Sequence, residues 1–506
     1  MRKKTLIKGA AVLMCANLIT RFMGFYYRIY MSKAIGAEGM GLYQLIMPIY
    51  MLAWSITSSG LTTTISKLTA QENAKNEFGN TSRILHISLC ISLVLSLCLS
   101  VSLFIFADFA AIHIIKDART SLPLRILSLA FPFMSLGSCI RGNFLGMQLH
   151  FFPATSQVLE QVVRIVAIFA LSQMFIPLGL EYACGAAVVG IVLGEIASFI
   201  FIFFAMKYVH SDLPYKKPTM RLTAALTSVC AMAVPLTLAR VTGSLLAAVE
   251  NILIPQRLAL FGGGENALSV FGSLTGMAMP LIQLPSAVLM AISVTLVPAL
   301  SEAQATKNNH MTSALIEKAI TYTAVIGFGF AAVFAAFPKE ICYIIYNQKE
   351  LGNLLLRLCI ICPFMYMQIT ISGILNGLGS HSFIFRQNLI SSAINLFFIY
   401  LFIPRWGTDA FIVGITLSLI VTSTLGIKEI TKKSNIYFSP YKTILLPGIC
   451  AVSAYIVLQF APTNETFNLY LMALSAILLF LIYIVLLFLT GALTRKDVMA
   501  FMPKKQ

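Results

Sequence analysis

Runs of about twenty apolar residues recur along this chain between short polar turns, and they constrain its fold more than any other feature. A helical run of that length crosses the hydrocarbon core of a bilayer, which is about 30 Å thick. The composition agrees, because 58% of the 506 residues are hydrophobic and only 11% are charged. Soluble domains carry about 25% charged residues. The sequence therefore predicts an all-α polytopic membrane protein.

Fourteen runs fit this length, with boundaries soft by a few residues. Numbered as spans 1 to 14, they cover residues 6–32, 42–66, 83–107, 123–147, 154–175, 182–207, 222–247, 267–297, 314–337, 351–376, 384–403, 409–427, 443–461 and 467–491. Span 8 contains Gly272, Gly276, Pro280 and Pro285, so it is predicted to be interrupted. Interrupted membrane helices often border substrate sites.

Lysine and arginine are distributed unevenly between the two predicted sides of the membrane. With a cytoplasmic N-terminus, that side carries 22 of them and the other side carries 7. The excess predicts that both termini are cytoplasmic, and it explains much of the net charge of +17 without a nucleic-acid partner. The remaining seven are all arginines inside predicted spans: Arg21, Arg28, Arg125, Arg141, Arg164, Arg240 and Arg357.

A repeat relates spans six apart. "TRFMG" in span 1 resembles "ARVTG" in span 7, and "NFLG" after span 4 resembles "NGLG" after span 10. The predicted domains are an N-terminal bundle of spans 1–6 (1–210), a basic cytoplasmic linker (211–221), a C-terminal bundle of spans 7–12 (222–430), and spans 13–14 with a cytoplasmic tail (431–506). Two repeated bundles are typical of transporters that work by alternating access.

No enzymatic, metal or cofactor site is predicted. The chain has no Walker loop and no large soluble domain. Cys359 and Cys362 have a CxxC spacing, but neither a histidine nor a second pair accompanies them. The basic N-terminus followed by an apolar run resembles a signal peptide without a cleavage site, so span 1 is predicted to remain as an anchor.

Span 1 contains a polar stripe formed by Asn17, Arg21, Gly24 and Arg28, at positions i, i+4, i+7 and i+11 of one helix face. An arginine in the centre of a membrane helix costs about 2.5–3.5 kcal/mol on insertion scales, so it usually faces a cavity or a partner. Arg28 could instead extend to the outer interface. The predicted substrate-binding residues are Arg21, Arg28 and Arg240, with Asn17 and Gln283 as lining residues.

The other membrane charges have more ordinary explanations. Glu160 and Arg164 can neutralise each other at i, i+4, whereas Arg125, Arg141 and Arg357 lie close enough to span ends to reach headgroups. Glu195 has no basic residue one turn away, so it could be protonated, pair across the bundle, or join Glu160 as a candidate for ion or proton coupling. The hydroxyl-rich second half of span 2 could pack helices or line a cavity.

Embedded arginines outnumber embedded acids, which predicts a cationic cavity and an anionic cargo. Guanidinium groups bind phosphate bidentately, so a diphosphate suits them. A drug-cation exporter would more plausibly display carboxylates.

The segments "TRFMGFYYRIYMSKAIGAEGMGLYQL" and "GLTTTISKLTAQ" resemble the polysaccharide-transport branch of the multidrug/oligosaccharidyl-lipid/polysaccharide (MOP) exporter superfamily, which includes the lipid II flippases. The resemblance covers essentially the whole chain and implies a MOP/MATE-like fold. It assigns a cavity role to Arg21 through the S/T-R-x-x-G-F pattern. The flippase pattern has its second arginine where this chain has Tyr27, and a basic residue in span 2 where this chain has none.

This resemblance implies a flippase that moves a lipid-linked anionic glycan precursor, a polyprenyl-diphosphate peptidoglycan unit similar to lipid II, outward for spore cortex synthesis. The protein would then lie in the cell membrane of the sporulating cell or in a forespore membrane, among membrane lipids and with cortex peptidoglycan synthesis proteins as possible partners. The alternatives are a multidrug/cation antiporter of the same fold, a membrane glycosyltransferase or polymerase, and a non-transporting scaffold for cell-wall synthesis.

Overall fold

A computed structural model describes residues 2–211, 217–261, 266–306, 309–434, 441–459 and 469–493. Throughout these ranges, every regular element is a helix and no strand is formed. Helices suit such apolar segments because each backbone N–H and C=O group finds its partner within the same segment, without water. The prediction of an all-α fold is therefore confirmed.

The helices of the first half begin with two helices joined by a π-helical turn at Ser55–Ser59. They are α1 (Arg2–Trp54), α2 (Gly60–Ala74), α3 (Phe78–Ile105), α4 (Ser121–Ser128), α5 (Ala130–Gly146), α6 (Phe151–Phe175), α7 (Leu180–Ser211), α8 (Leu222–Leu258) and α9 (Ala267–Phe271). Short helical turns lie at Ala107–Phe109, Ala110–Ile115, Ala118–Thr120 and Ile176–Leu178.

Another π-helical turn, Gly272–Ala278, separates α9 from the helices that follow. These are α10 (Met279–Gln283), α11 (Ser286–Ala305), α12 (Asn309–Ala336), α13 (Pro338–Tyr346), α14 (Leu351–Leu358), α15 (Ile361–Gly377), α16 (His381–Leu401), α17 (Thr408–Ser434), α18 (Leu446–Gln459) and α19 (Leu469–Leu489). Shorter turns are Ile403–Trp406 and Tyr441–Leu445. Span 8 is therefore broken, as its glycines and prolines predict.

Each of the fourteen predicted spans coincides with helix in the structure. Among the described residues, nine helices are long and apolar enough to cross a membrane, or eleven if each bent pair counts as one span. The bent pairs, α4 with α5 and α14 with α15, correspond to spans 4 and 10. The shorter apolar helices Ala267–Gln283 and Thr443–Leu458 fall in spans 8 and 13. Fourteen crossings are consistent with these helices, although length and composition do not fix the number.

Span 1 and the first half of span 2 lie in α1, which bends at Gly36. The backbone there has φ 68° and ψ −173°. Only glycine adopts this conformation readily, because a Cβ in that region clashes with the backbone. The second half of span 2 continues through the turn Ser55–Ser59 into α2.

The described chain packs into two compact units. The first contains the residues up to Ala259 together with 266–276, and the second contains Leu260, Phe261 and the residues from Met277 onward. Helix α8 thus packs within the first unit, whereas the repeat assigns span 7 to the C-terminal bundle. The domain boundaries drawn from the repeat stay a prediction, since packing does not test a repeat.

Close approach of α6 and α7 organises the first unit around two glycines of α7. A Cβ at Gly194 would lie 2.8 Å from the Glu160 carbonyl oxygen, and one at Gly190 would lie 3.2 Å from that of Arg164. In the second unit, the Tyr483 hydroxyl of α19 donates a hydrogen bond to the Val325 carbonyl of α12 at 3.1 Å. Helix α19 leaves many large apolar side chains exposed, Leu474 at 66% among them, as expected of a surface that meets lipid.

Candidate functional site

The polar stripe of span 1 lies on α1, in the first unit. The side chains of Asn17 and Arg21 are exposed, and Arg28 is half-buried. Between the two arginines, a Cβ on Gly24 would come within 3.0 Å of Gln161 Nε2 on α6. Gly24 therefore leaves room for the Gln161 amide between the two arginines along the stripe.

Aromatic contacts fix the C-terminal part of this stripe against α6. The Tyr30 and Ser172 hydroxyls share a hydrogen bond. The Phe169 ring centroid lies 4.0 Å from that of Tyr30 and 6.4 Å from that of Tyr26. Tyr26 and Tyr30 lie on either side of Arg28 in the sequence. Their contacts therefore hold this part of α1 against α6.

Arg240 lies on α8 and is exposed, like Arg21. Its Nη2 atom donates a hydrogen bond of 3.2 Å to Thr63 Oγ1 on α2. Among the described residues, Arg240 makes no ion pair with a carboxylate. This guanidinium group keeps most of its donors available in a segment that crosses the membrane.

The contact between α2 and α8 depends on Gly60. A Cβ at this position would lie 2.0 Å from Thr237 Oγ1 and 2.9 Å from the Ala233 carbonyl oxygen. The same two helix faces carry Thr63 and Arg240, each one turn further along. The sequence places a glycine where the two backbones must approach for the Arg240–Thr63 contact to form.

We expect Gly60→Ala to destabilise the protein by about 1–3 kcal/mol, because the α8 backbone must move to admit the methyl group. Thermal unfolding of the purified protein in detergent measures this. Gly243→Ala on α8 is the matched control, because a Cβ at Gly243 meets nothing within 4 Å. The control should unfold at or slightly above the wild-type temperature, since alanine favours helix over glycine. Equal unfolding temperatures for the two variants would contradict this account of the contact.

Most hydroxyls of span 2 serve packing rather than a cavity. The Thr57, Ser59 and Thr62 hydroxyls donate to the carbonyl oxygens four residues earlier. Thr62 also donates to the Ser138 carbonyl of α5 at 3.2 Å. Of the two alternatives for this segment, packing applies to these residues, while Thr63 contacts the arginine.

Three of the seven membrane arginines are neutralised by acids. Arg164 Nη2 lies 2.7 Å from Glu160 Oε1, as the i, i+4 spacing predicts. Arg125 pairs with Asp108 at 2.5 Å and Arg357 with Asp409 at 2.8 Å. Arg125 and Arg357 thus form exposed ion pairs, and their contact with headgroups stays a prediction.

Arg141 differs more from its expected role. Its guanidinium group donates to Ser198 Oγ at 3.0 Å and to Ser138 Oγ at 2.9 Å, and its side chain is partly buried. The group therefore holds α5 to α7 instead of reaching toward a headgroup. Ser198 is 57 residues distant in sequence, so no local spacing reveals this contact.

Glu195 is buried on α7, where it accepts a hydrogen bond from the Tyr50 hydroxyl. It forms no ion pair within the described residues. The sequence left three alternatives for this residue, and the structure shows a neutral hydrogen-bond partner from α1. Tyr50 was not singled out in the sequence, because a partner 145 residues away leaves no pattern.

Gln283 ends α10, two residues before Pro285, and its side chain is exposed. It belongs to the second unit, whereas both candidate arginines on α1 and Arg240 belong to the first. Its role as a lining residue remains a prediction. Over the described residues, no group of three or more His, Cys, Asp or Glu side chains is placed to hold a metal ion, and all ten cysteines are free.

Comparison with known proteins decides the family. A profile of the family described as "Polysaccharide biosynthesis protein" matches residues 6–304. The chain belongs to this family. The chain is 30% identical to stage V sporulation protein B of Bacillus subtilis (strain 168) over 442 residues, which is 85% of each chain. It is 26% identical to the lipid II flippase MurJ of the same organism over 318 residues, or 59% of this chain and 58% of MurJ.

Solved structures show the fold of this chain. Lipid II flippase MurJ in an inward closed conformation matches 97% of this chain and 100% of its own, with a TM-score of 0.73 at 13% identity. An inward-facing multidrug resistance MATE family transporter of the MOP superfamily matches 84% of this chain and 99% of its own, with a TM-score of 0.64 at 16% identity. The predicted MOP/MATE-like fold is confirmed, and the apolar helices of the described residues fit a multi-pass membrane protein.

Proposed function

We propose that the protein is a flippase that moves a polyprenyl-diphosphate-linked peptidoglycan precursor outward across the membrane for spore cortex synthesis. The observation that carries this proposal is Arg240, an exposed guanidinium group on a membrane helix whose described contact is a neutral hydroxyl. An exposed guanidinium group that is not neutralised by a carboxylate is suited to bind an anionic cargo. The names of two relatives, a sporulation protein and a lipid II flippase, agree with it.

In this proposal Arg21 and Arg240 hold the diphosphate by bidentate hydrogen bonds. Asn17 lies on the same face as Arg21, one turn before it, and contacts the headgroup. Arg28 lies toward the outer end of the stripe and receives the diphosphate as it leaves. Gln283, which belongs to the second unit, is a separate candidate for contact with the cargo. The polyprenyl tail stays in lipid while the polar head crosses.

The electrical work favours outward movement of this cargo. A diphosphate head carries a charge near −2, and an inside-negative potential contributes about 2.3 kcal/mol per charge for each 100 mV. Alternating access of two bundles, residues 1–210 and 222–430, would expose the arginines to each side in turn. Both termini would lie in the cytoplasm, and the protein would act in a membrane of the sporulating cell or forespore.

The test is a cargo panel in proteoliposomes that contain the purified protein. We expect flipping of a fluorescent polyprenyl-diphosphate sugar, much slower flipping of the matching monophosphate, and no transport of a cationic dye. The monophosphate is the matched control because it changes only the group that the arginines bind. Liposomes without protein set the spontaneous rate.

Each alternative predicts a different result of this panel. The MATE-type antiporter, which the structural similarity to a multidrug transporter favours, predicts dye transport and no flipping. A scaffold predicts that neither cargo moves. Either result would overturn the flippase proposal.

A further inference from the structure

One oxygen of the buried Glu195 carboxyl has no hydrogen-bond partner in the described chain. The side chain is 3% exposed, its Oε1 atom accepts from the Tyr50 hydroxyl, and its Oε2 atom is buried without a hydrogen-bond partner. An ionised carboxylate in such a place needs a cation or further donors. Protonation of Oε2 removes the negative charge, so the buried carboxyl no longer requires a cation.

The charged groups around Glu195 come from two helices packed against α7. Helix α6 contributes Glu160 and Arg164, which form an ion pair of 2.7 Å with each other. Helix α5 contributes Arg141, whose guanidinium donates to Ser138 and Ser198. Neither arginine forms an ion pair with Glu195 among the described residues.

The remaining neighbour is α1, which contributes the phenol of Tyr50. This phenol is buried and donates its hydrogen bond to Glu195. Glu195 therefore differs from Glu160, which has its own cation. Of the two acids in this part of the membrane, Glu195 is the one whose charge can change without breaking an ion pair.

The position of Glu195 connects it to the arginine stripe through α6. Gly194, the residue before Glu195, lets the α7 backbone approach the Glu160 carbonyl closely. Gln161, the residue after Glu160, lies with its amide against Gly24 between Arg21 and Arg28. The turn of α6 that contains Glu160 and Gln161 thus contacts α7 next to Glu195 and also contacts α1 within the polar stripe. A change at Glu195 that shifts α6 reaches the candidate cargo site directly.

We propose that Glu195 is a proton-binding site whose protonation is coupled to the transport cycle. One proton from outside water binds Oε2 of the carboxylate, Tyr50 stays a neutral phenol, and the proton leaves to the cytoplasm as the cargo moves outward. No electron transfer and no other bond is involved. Proton binding stands by itself, whereas its coupling to cargo movement rests on the proposed function.

Infrared difference spectra of the reconstituted full-length protein, recorded between acid and neutral pH, test proton binding without any cargo. We expect a C=O stretching band of a protonated carboxyl that is lost in Glu195→Gln. Asp409→Asn, which removes an exposed acid paired with Arg357, should keep the band. Tyr50→Phe should keep it at a higher wavenumber, because the carbonyl loses a hydrogen bond. The same band in Glu195→Gln, or no shift in Tyr50→Phe, would overturn the proposal.

Glutamine has almost the same shape as glutamate and can still accept from Tyr50, so Glu195→Gln is expected to fold. Should it not fold, the shift in Tyr50→Phe still decides whether the band belongs to Glu195. Thermal unfolding of each variant in detergent shows which of these cases applies.

A second measurement tests the coupling in proteoliposomes that flip the diphosphate lipid. One proton per cycle across one pH unit biases outward transport about tenfold, with the acidic side outside. We expect this acceleration in the wild type and its loss in Glu195→Gln. If the band belongs to Glu195 but no lipid is flipped, the proposed function fails and proton binding stands. If lipid is flipped at a rate that does not depend on the pH gradient, the proposed coupling is wrong and the proposed flippase function is retained.

Discussion

Arg164→Met is expected to destabilise the protein by about 3–5 kcal/mol, the usual effect of removing one partner from a buried ion pair. The pair is well enclosed, since the side chains of Arg164 and Glu160 are 14% and 17% exposed. Loss of the guanidinium leaves the Glu160 carboxylate beside Gly194 of α7 without a cation. A loss of this size would lower the thermal unfolding temperature in detergent and reduce the folded yield.

The double variant Glu160→Gln/Arg164→Met is the decisive control for this effect. It removes both charges together, so it should recover much of the lost stability. Arg357→Met removes one partner of an exposed pair whose side chains are 53% and 56% exposed. An exposed pair contributes about 0–1 kcal/mol, so this variant should unfold close to the wild-type temperature. If the double variant is as unstable as Arg164→Met, the unpaired charge is not the cause.

This ion pair also shows what a sequence can specify about such a protein. Glu160 and Arg164 are one helical turn apart, so the helix itself brings them together. The apolar runs likewise predict the helices, because each must satisfy its own backbone in lipid. Even the break in span 8 follows from its glycines and prolines. These features depend on neighbours in sequence.

Contacts between distant segments could not be predicted in the same way. Tyr50 reaches Glu195 across 145 residues, and Arg240 reaches Thr63 across 177. Each contact depends on how helices rotate and pack, which is set by glycines such as Gly60 and Gly194 and by many small apolar contacts. A single sequence records these glycines but does not state which helix lies against them.

The partners of most membrane arginines could not be predicted for the same reason, because they are distant in sequence. Arg141 was expected near headgroups, yet it holds α5 to α7 through two serines. Arg125 and Arg357 were assigned to the interface, and each has an acid close by in space but distant in sequence. A paired arginine is explained by its acid. Arg240 contacts a hydroxyl instead, so it calls for a functional explanation.

The largest effect on transport is expected from Arg21→Ala and Arg240→Ala. A hydrogen bond to a charged group contributes about 1.5–3 kcal/mol. If each arginine stabilises the diphosphate while it crosses, loss of either should slow flipping about tenfold to a hundredfold. Arg240→Lys keeps the charge but loses the planar fork, so an intermediate rate is expected. The rates are measured with the labelled diphosphate lipid in proteoliposomes.

The control for these variants is Arg357→Ala, which removes a membrane arginine that is already paired with Asp409 and should flip at the wild-type rate. The double variant Arg21→Ala/Arg240→Ala then asks whether the two groups act on one cargo. Two arginines that hold the same diphosphate should lose less together than the product of their separate effects, because contacting groups are not additive. Independent sites would give the full product. Wild-type rates in both single variants, each shown to be folded, would mean that these guanidinium groups do not bind the cargo.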